Sequence, residues 1–244
     1  MKISLHNIQF RYEDSWVLKD ISLDFESGRI YLIVGENGSG KSTLLKIVSG
    51  ILKPLCGEIL INDEPVKDIW ELRKRVGYVF QTPSSQIVGS TVEEDVAFAL
   101  ENMGIPRSEM VKRVEWALSV VGLLNFKRED PLNLSGGQKQ RLAIASILAM
   151  SPDFLALDEP TSMLDPESKR EIMEVIRDLK EKGKGILLVS HELEYVENVD
   201  EVIFLENGNI SFKGNLLSLL KMRPDSIDIP LKYGVFLECG KRID

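Results

Sequence analysis

Sulfur chemistry has little to work with in this chain. Its 244 residues carry two cysteines, Cys56 and Cys239, in unrelated contexts and without metal-ligand spacing. They read as reduced bystanders, not as a disulfide framework. Long apolar runs are missing too: the strongest, "RIYLIVG" and "GILLVSH", fall far short of the ~20 residues a membrane span needs. The opening "MKISLHNIQFRYED" lacks the apolar core of a secretory signal, so a cytoplasmic location is expected. Positive charge is in deficit, with 30 Lys and Arg against 38 Asp and Glu, a formal net charge of −8. A nucleic-acid binder usually carries a basic stripe, so this balance disfavours DNA or RNA as the main partner. It leaves a nucleotide open, because one ATP needs only a local cluster of donors and a metal ion. What is present is ordinary for a globular chain: 43% hydrophobic and 28% charged residues. That is enough for a real core in one large domain, or in a domain carrying an insertion.

Hydrophobic patterning divides the chain by texture. "ISLHNIQFRY" and "VLKDISLDFES" alternate partially, as strands of an antiparallel edge sheet would. "RIYLIVG" is continuously apolar, as expected for a parallel strand covered on both faces. A glycine loop follows, then a helix over "STLLKIVSG" closed by Gly50. "GEILINDEPV" reads as one short strand and "RVGYVF" as a buried one. Beyond Phe80 the loop "QTPSSQIVGS" leads into helical segments. Thr91 and Glu94 are spaced as a capping box, and Val111, Val114, Leu118 and Val121 form an apolar helical stripe. Residues 82–150 are therefore expected to form a helical insert in an α/β pattern. The pattern resumes with the strand "FLALD" and a helix bounded by Asp165 as N-cap, Pro166 at its first position and Gly183 past its end. The core stripe of that helix is Ile172, Val175, Ile176 and Leu179. "GILLVSH" is a further buried strand, and "EVIFLENGNISFKG" a hairpin turning at Asn207-Gly208. A short leucine-rich helix and a prolyl tail end the chain.

Two turns are suited to phosphate. "GENGSGKS" fits G-x-x-x-x-G-K-[ST] through Gly35, Gly40, Lys41 and Ser42, between a strand and a helix, the context this motif requires. Backbone N–H groups over Asn37, Gly38, Ser39, Gly40 and Thr43 can wrap phosphates. Lys41 reaches the β/γ oxygens and the Ser42 hydroxyl ligates Mg²⁺. Asp158, at the carboxyl end of a buried strand, suits the same metal, and Glu159 is placed to take a proton from the attacking water; taken alone, Glu159 could equally begin a loop or cap a helix. His191 leaves its strand at the sheet edge where ligands gather in parallel sheets; His6, on the edge sheet, earns no role. The second turn is "LSGGQ", where Ser135, Gly136 and Gly137 open a helix N-terminus suited to an anion. One nucleotide does not need both.

In this order, "GENGSGKS", "LSGGQ", "FLALDEP", "SMLD" and "SH" resemble an ABC-type ATPase over roughly residues 3–215, with residues 216–244 as an appended helix and tail. The resemblance implies a P-loop NTPase fold with a parallel sheet, an antiparallel β edge sheet and an inserted helical subdomain. It also implies two such subunits closing head to tail on two ATP molecules. Ser135, Gly137 and Gln138 of one would then face the phosphates held by Lys41 of the other. Tyr12 matches the adenine-stacking aromatic, with Phe10 and Trp16 as neighbouring candidates. Gln81 matches the glutamine that senses Mg²⁺ and water, and Asp165 the loop that communicates across the dimer. Met163 stands where alanine is common, and Ser190 where threonine is common. "QTPSSQIVGSTVEEDVAFALEN" is similar to the ATPase subunits of energy-coupling-factor importers, which serve vitamin and cobalt or nickel uptake. That likeness implies a motor on the cytoplasmic face of the membrane, gripping a transmembrane subunit through the insert near residues 82–98. The second ATPase subunit could be a copy or a relative. A soluble ABC ATPase of DNA repair, chromosome organisation or translation is the alternative; its usual long coiled-coil insertion or second ATPase unit is missing.

Overall fold

The computed structural model describes residues 1–193 and 198–222; the prolyl tail and Cys239 lie outside the described residues. β1 (Lys2–Tyr12) and β2 (Ser15–Glu26) pair antiparallel. The inward side chains of β1 run Ile3 and Leu5, then Ile8 and Phe10. The phase slips at Asn7, whose φ of 51° coincides with a register shift, as a bulge requires. After β3 (Ile30–Val34) and α1 (Lys41–Val48), the stretch expected as one strand is instead a hairpin, β4 (Cys56–Ile61) and β5 (Glu64–Pro65). Asn62 and Asp63, at φ 52° and 66°, make the turn, since Asn and Asp tolerate the left-handed region that tight hairpins demand. These four strands form one sheet, ordered β2-β1-β4-β5.

α2 (Ile69–Arg75), which periodicity did not disclose, precedes β6 (Val76–Val79). Its Asp68 side chain accepts from the Trp70 N–H, and Arg73, Lys74 and Arg75 fill its last turn, matching the helix dipole. Only Leu72 is buried, too little for a stripe. Next come α3 (Val92–Asn102), α4 (Arg107–Val120) and α5 (Gly136–Ala149), the helical stretch expected after residue 82. The Thr91–Glu94 capping box is formed in both directions. On α4 and its C-cap, Val114, Leu118 and Val121 are buried but Val111 is 48% exposed. Its phase is right, yet it opens onto a groove between α3 and α4 lined also by Glu93, Ala97 and Glu101.

β7 (Phe154–Asp158), α6 (Pro166–Glu181), β8 (Gly185–Val189), β9 (Glu201–Glu206), β10 (Asn209–Gly214) and α7 (Leu216–Met222) complete the order. The second sheet runs β10-β9-β3-β8-β7-β6; the five strands from β9 to β6 are parallel and β10 turns back antiparallel on β9. Alternate residues feed two cores. Ile30, Leu32, Leu155, Leu157, Ile186 and Leu188 face α3–α7. Tyr31, Ile33, Phe154, Ala156, Leu187 and Val189 face α1 and the antiparallel sheet. Every parallel strand is thus covered twice, which explains the unbroken apolar runs. This layering also directs the carboxyl ends of β3, β6, β7 and β8 to one edge.

Candidate nucleotide site

At that edge lies a cleft of ≈ 520 Å³ lined by Tyr12, Val17, Asn37, Gly38, Gly40, Lys41, Ser42, Thr43, Gln81, Glu159 and His191. The loop from β3 to α1 forms its floor. Gly35 adopts φ 148°, and a Cβ there would stand 2.0 Å from the Leu205 carbonyl oxygen of β9, so no side chain fits. The Lys41 ammonium donates to the carbonyls of Gly35 and Glu36, both at 2.8 Å. Burial pushes its pKa down, while Glu159 and Asp158 pull the other way. The Ser39 hydroxyl is buried in this loop with no hydrogen-bond partner among the described residues. A buried cation, an unspent hydroxyl and loop N–H groups together fit a phosphate chain.

Ser42 Oγ donates to Asp158 Oδ1 at 2.9 Å, joining the first turn of α1 to the end of β7. Its lone pairs stay available, so hydroxyl and carboxylate offer hard oxygens side by side. Mg²⁺ takes such a site, with one or two protein oxygens beside phosphate and water. The other carboxylate oxygen, Oδ2, accepts from the Tyr78 phenol at 2.6 Å. Burial first, and then this bond, push the phenol far above its usual range.

Glu159 is held from two sides. Gln81 Nε2 donates to its Oε2 at 2.8 Å, and His191 Nε2 lies 3.0 Å from its Oε1. Its backbone is left-handed, φ 50°, with its N–H bonded to the Val189 carbonyl. Three strand ends (β6, β7 and β8) thereby converge on one carboxylate, and a carboxylate in contact with solvent is a competent proton acceptor. Next to His191, the Ser190 Oγ accepts from the Glu192 N–H at 3.1 Å. Glu192 in turn accepts from Thr161 at 3.4 Å and Lys169 at 2.5 Å, tying this loop to α6.

Tyr12 lines the cleft mouth at 46% exposure, with Phe10 buried behind it as an edge-on neighbour 4.9 Å away. Trp16 lies under the Arg11 guanidinium and outside the cleft lining.

The second turn lies elsewhere. Among the described residues, none of Ser135, Gly137, Gln138 or Asp165 lines the cleft. Ser135 caps α5: its Oγ accepts from the Gln138 N–H and its own N–H donates to Gln138 Oε1, a reciprocal box. Gly137 presses on α6, since a Cβ there would meet the Ser168 Oγ at 2.4 Å. The Asp165 carboxylate accepts from Glu167 and Ser168 N–H groups and from the Ser168 hydroxyl, and that hydroxyl above all lowers its pKa. Met163 projects 98% exposed from a left-handed backbone, φ 62°.

Sequence reading missed Tyr78, whose role depends on strand register, and Asp95. The Asp95 carboxylate is buried and accepts from the Val88 and Gly89 N–H groups and the Ser146 hydroxyl. Gln86 Oε1 accepts from the Phe80 N–H, closing the loop that contains Gln81.

Comparison with known proteins accords with this geometry. Residues 18–162 match the ABC transporter family. The chain belongs to that family. This ABC ATPase is 56% identical over 241 residues to the energy-coupling factor transporter ATP-binding protein EcfA1 of Thermotoga maritima, covering 99% of this chain and 92% of that protein. To the protein of the same name from Enterococcus faecalis it is 45% identical over 218 residues, covering 87% and 78%. Among solved structures, cbiO1 from Clostridium perfringens, described as part of the ABC transporter complex cbiONQ, is similar with a TM-score of 0.83 at 36% identity, 91% of each chain being covered. The ABC ATPase thus falls among the energy-coupling-factor subunits, and the soluble alternative has no support. Tyr12, Asp165 and His191 lie outside the matched stretch.

Proposed function

We propose that this ABC ATPase hydrolyses ATP as the motor subunit of an energy-coupling-factor importer, with Glu159 as general base and two subunits completing each other's sites. The observation that carries the reading is the Glu159 carboxylate held by Gln81 and His191 beside Lys41 and the Ser42–Asp158 pair. Lys41 would exchange two backbone carbonyls for the β/γ oxygens, and Tyr12 would stack on the base. Ser42 and Asp158 would hold Mg²⁺, which supplies charge neutralisation at the phosphates. Gln81 and His191 orient Glu159 toward water, and Glu159 takes the proton.

The signature turn supports a two-subunit site, since Ser135 and Gly137 do not line their own cleft, while the Ser135 hydroxyl, the Gly137 N–H and the helix dipole suit a γ-phosphate. The second subunit is a copy or a relative. Attachment to the membrane would come through a transmembrane partner at the insert, where Val88 and Phe98 stand 61% and 51% exposed. No described helix is long and apolar enough to cross a membrane by itself.

Glu159→Gln tests the reading. ATP binding is expected to persist while turnover falls on the order of 10²–10⁴, the share a general base contributes. Near-normal hydrolysis by that variant would remove Glu159 from the role.

A further inference from the structure

Tyr78 is more than a core aromatic. In the parallel register of β6 and β7 it stands opposite Ala156, and both side chains belong to the core on the α1 face of the sheet. Asp158 lies two residues beyond Ala156, on the same face because side chains alternate with period two. Two strand residues rise ~6.6 Å, a distance a phenol spans. The tyrosine ring therefore runs up the neighbouring strand and ends on Asp158 Oδ2 at 2.6 Å, while Ser42 holds Oδ1 at 2.9 Å. A buried phenol usually finds some acceptor, often a carbonyl. Here it takes one oxygen of the acid at the metal site, and the ring itself is only 6% exposed, with Phe80 edge-on at 4.9 Å.

The geometry points to Tyr78 as a positioning residue for the nucleotide-bound metal. Its hydroxyl fixes the rotation of the Asp158 carboxylate so that Oδ1 stays beside Ser42. Without it only the Ser42 bond restrains the carboxylate torsion, and the remaining order must be supplied when the cation binds. Partners one shell out from a metal typically tune its affinity by ~10–100-fold. This inference rests on the reading of the cleft as a Mg-ATP site.

Tyr78→Phe removes one oxygen and keeps the ring and its Phe80 contact. Mn²⁺, an octahedral substitute for Mg²⁺, is titrated into protein loaded with a non-hydrolysable ATP analogue, with free Mn²⁺ followed by electron paramagnetic resonance. The variant should bind Mn²⁺ about tenfold more weakly, at the lower end of that range. Binding of the analogue in excess chelator should stay unchanged. In an Asp158→Ala background, where Tyr78 has lost the group it orients, adding Tyr78→Phe should change nothing further. Unaltered Mn²⁺ affinity, an equal loss in the Asp158→Ala background, or weaker analogue binding already present without metal would each overturn the role. Should the unsubstituted protein itself bind no Mn²⁺ with the analogue, the reading of the cleft would fall as well.

Discussion

Glu159 occupies a backbone conformation, φ 50°, that non-glycine residues enter at a cost of order 1–3 kcal/mol. The fold accepts that cost because the turn aims the carboxylate back at Gln81 and His191 instead of along the strand axis. The residue types at this site were legible beforehand: a phosphate-loop lysine, an acid pair ending a strand and a histidine ending another each announce their chemistry. The contacts were not, because Tyr78 reaches Asp158 only through inter-strand register, which is a property of two segments 80 residues apart. Asp165 makes the same point about magnitude. Its Ser168 hydroxyl bond, more than either N–H bond, holds the carboxyl below the ordinary value of about 3.9. A carboxyl depressed in the native state stabilises it fully above that ordinary value, and the contribution is lost as pH falls through the lowered one. Ser168→Ala should therefore raise the Asp165 titration midpoint toward the ordinary value, measured by carboxyl ¹³C NMR. An unmoved midpoint would assign the shift to the backbone donors instead.

Among the elements, those with long periodic stripes or clear caps were readable: α6 shows its four core residues and both boundaries where Asp165 and Gly183 put them. α2 and the β4–β5 hairpin were not, because each is too short for periodicity to accumulate, and their signals are a single cap and an Asn62-Asp63 turn. Tethering between elements is equally silent in sequence. Asp95 on α3 gathers two N–H groups of the loop after Gln81 and a hydroxyl of α5, the helix that carries the signature turn. Removing it takes the acceptor from two part-buried N–H groups and one acceptor from the buried Ser146 hydroxyl, and a donor left unpaired costs ~1–3 kcal/mol. Asp95→Ala should destabilise the protein by about 3 kcal/mol in urea denaturation, and should speed hydrogen exchange at the Val88 and Gly89 amides. Asp95→Asn, which retains one acceptor, should recover part of both. Unchanged exchange at those amides would mean that the loop is held by other contacts.

For the molecule as a whole, the order of motifs identified the architecture, since a parallel sheet delivers its carboxyl ends to one edge whatever the loops contain. The pairing of two subunits is the part a single chain leaves open, and mixing variants addresses it. Lys41→Ala spoils the cleft and spares the signature turn; Ser135→Arg does the reverse. Each alone should be inactive. If sites are shared between copies, an equimolar mixture should regain measurable ATPase activity, because each mixed dimer contains one intact combination. Activity of Ser135→Arg by itself would favour a self-sufficient cleft, and a mixture as inactive as its components an obligatory partner of different sequence. Parallel assays with the cognate second ATPase subunit test the latter. One contact gives such a pair its mechanics. Gly137 and Ser168 touch so closely that even a methyl group is barred between them, so α5 and α6 are meshed where their first turns meet. A push on the helical insert is therefore passed to the Asp165 segment through this contact, on the one face of the sheet that α5 and α6 share.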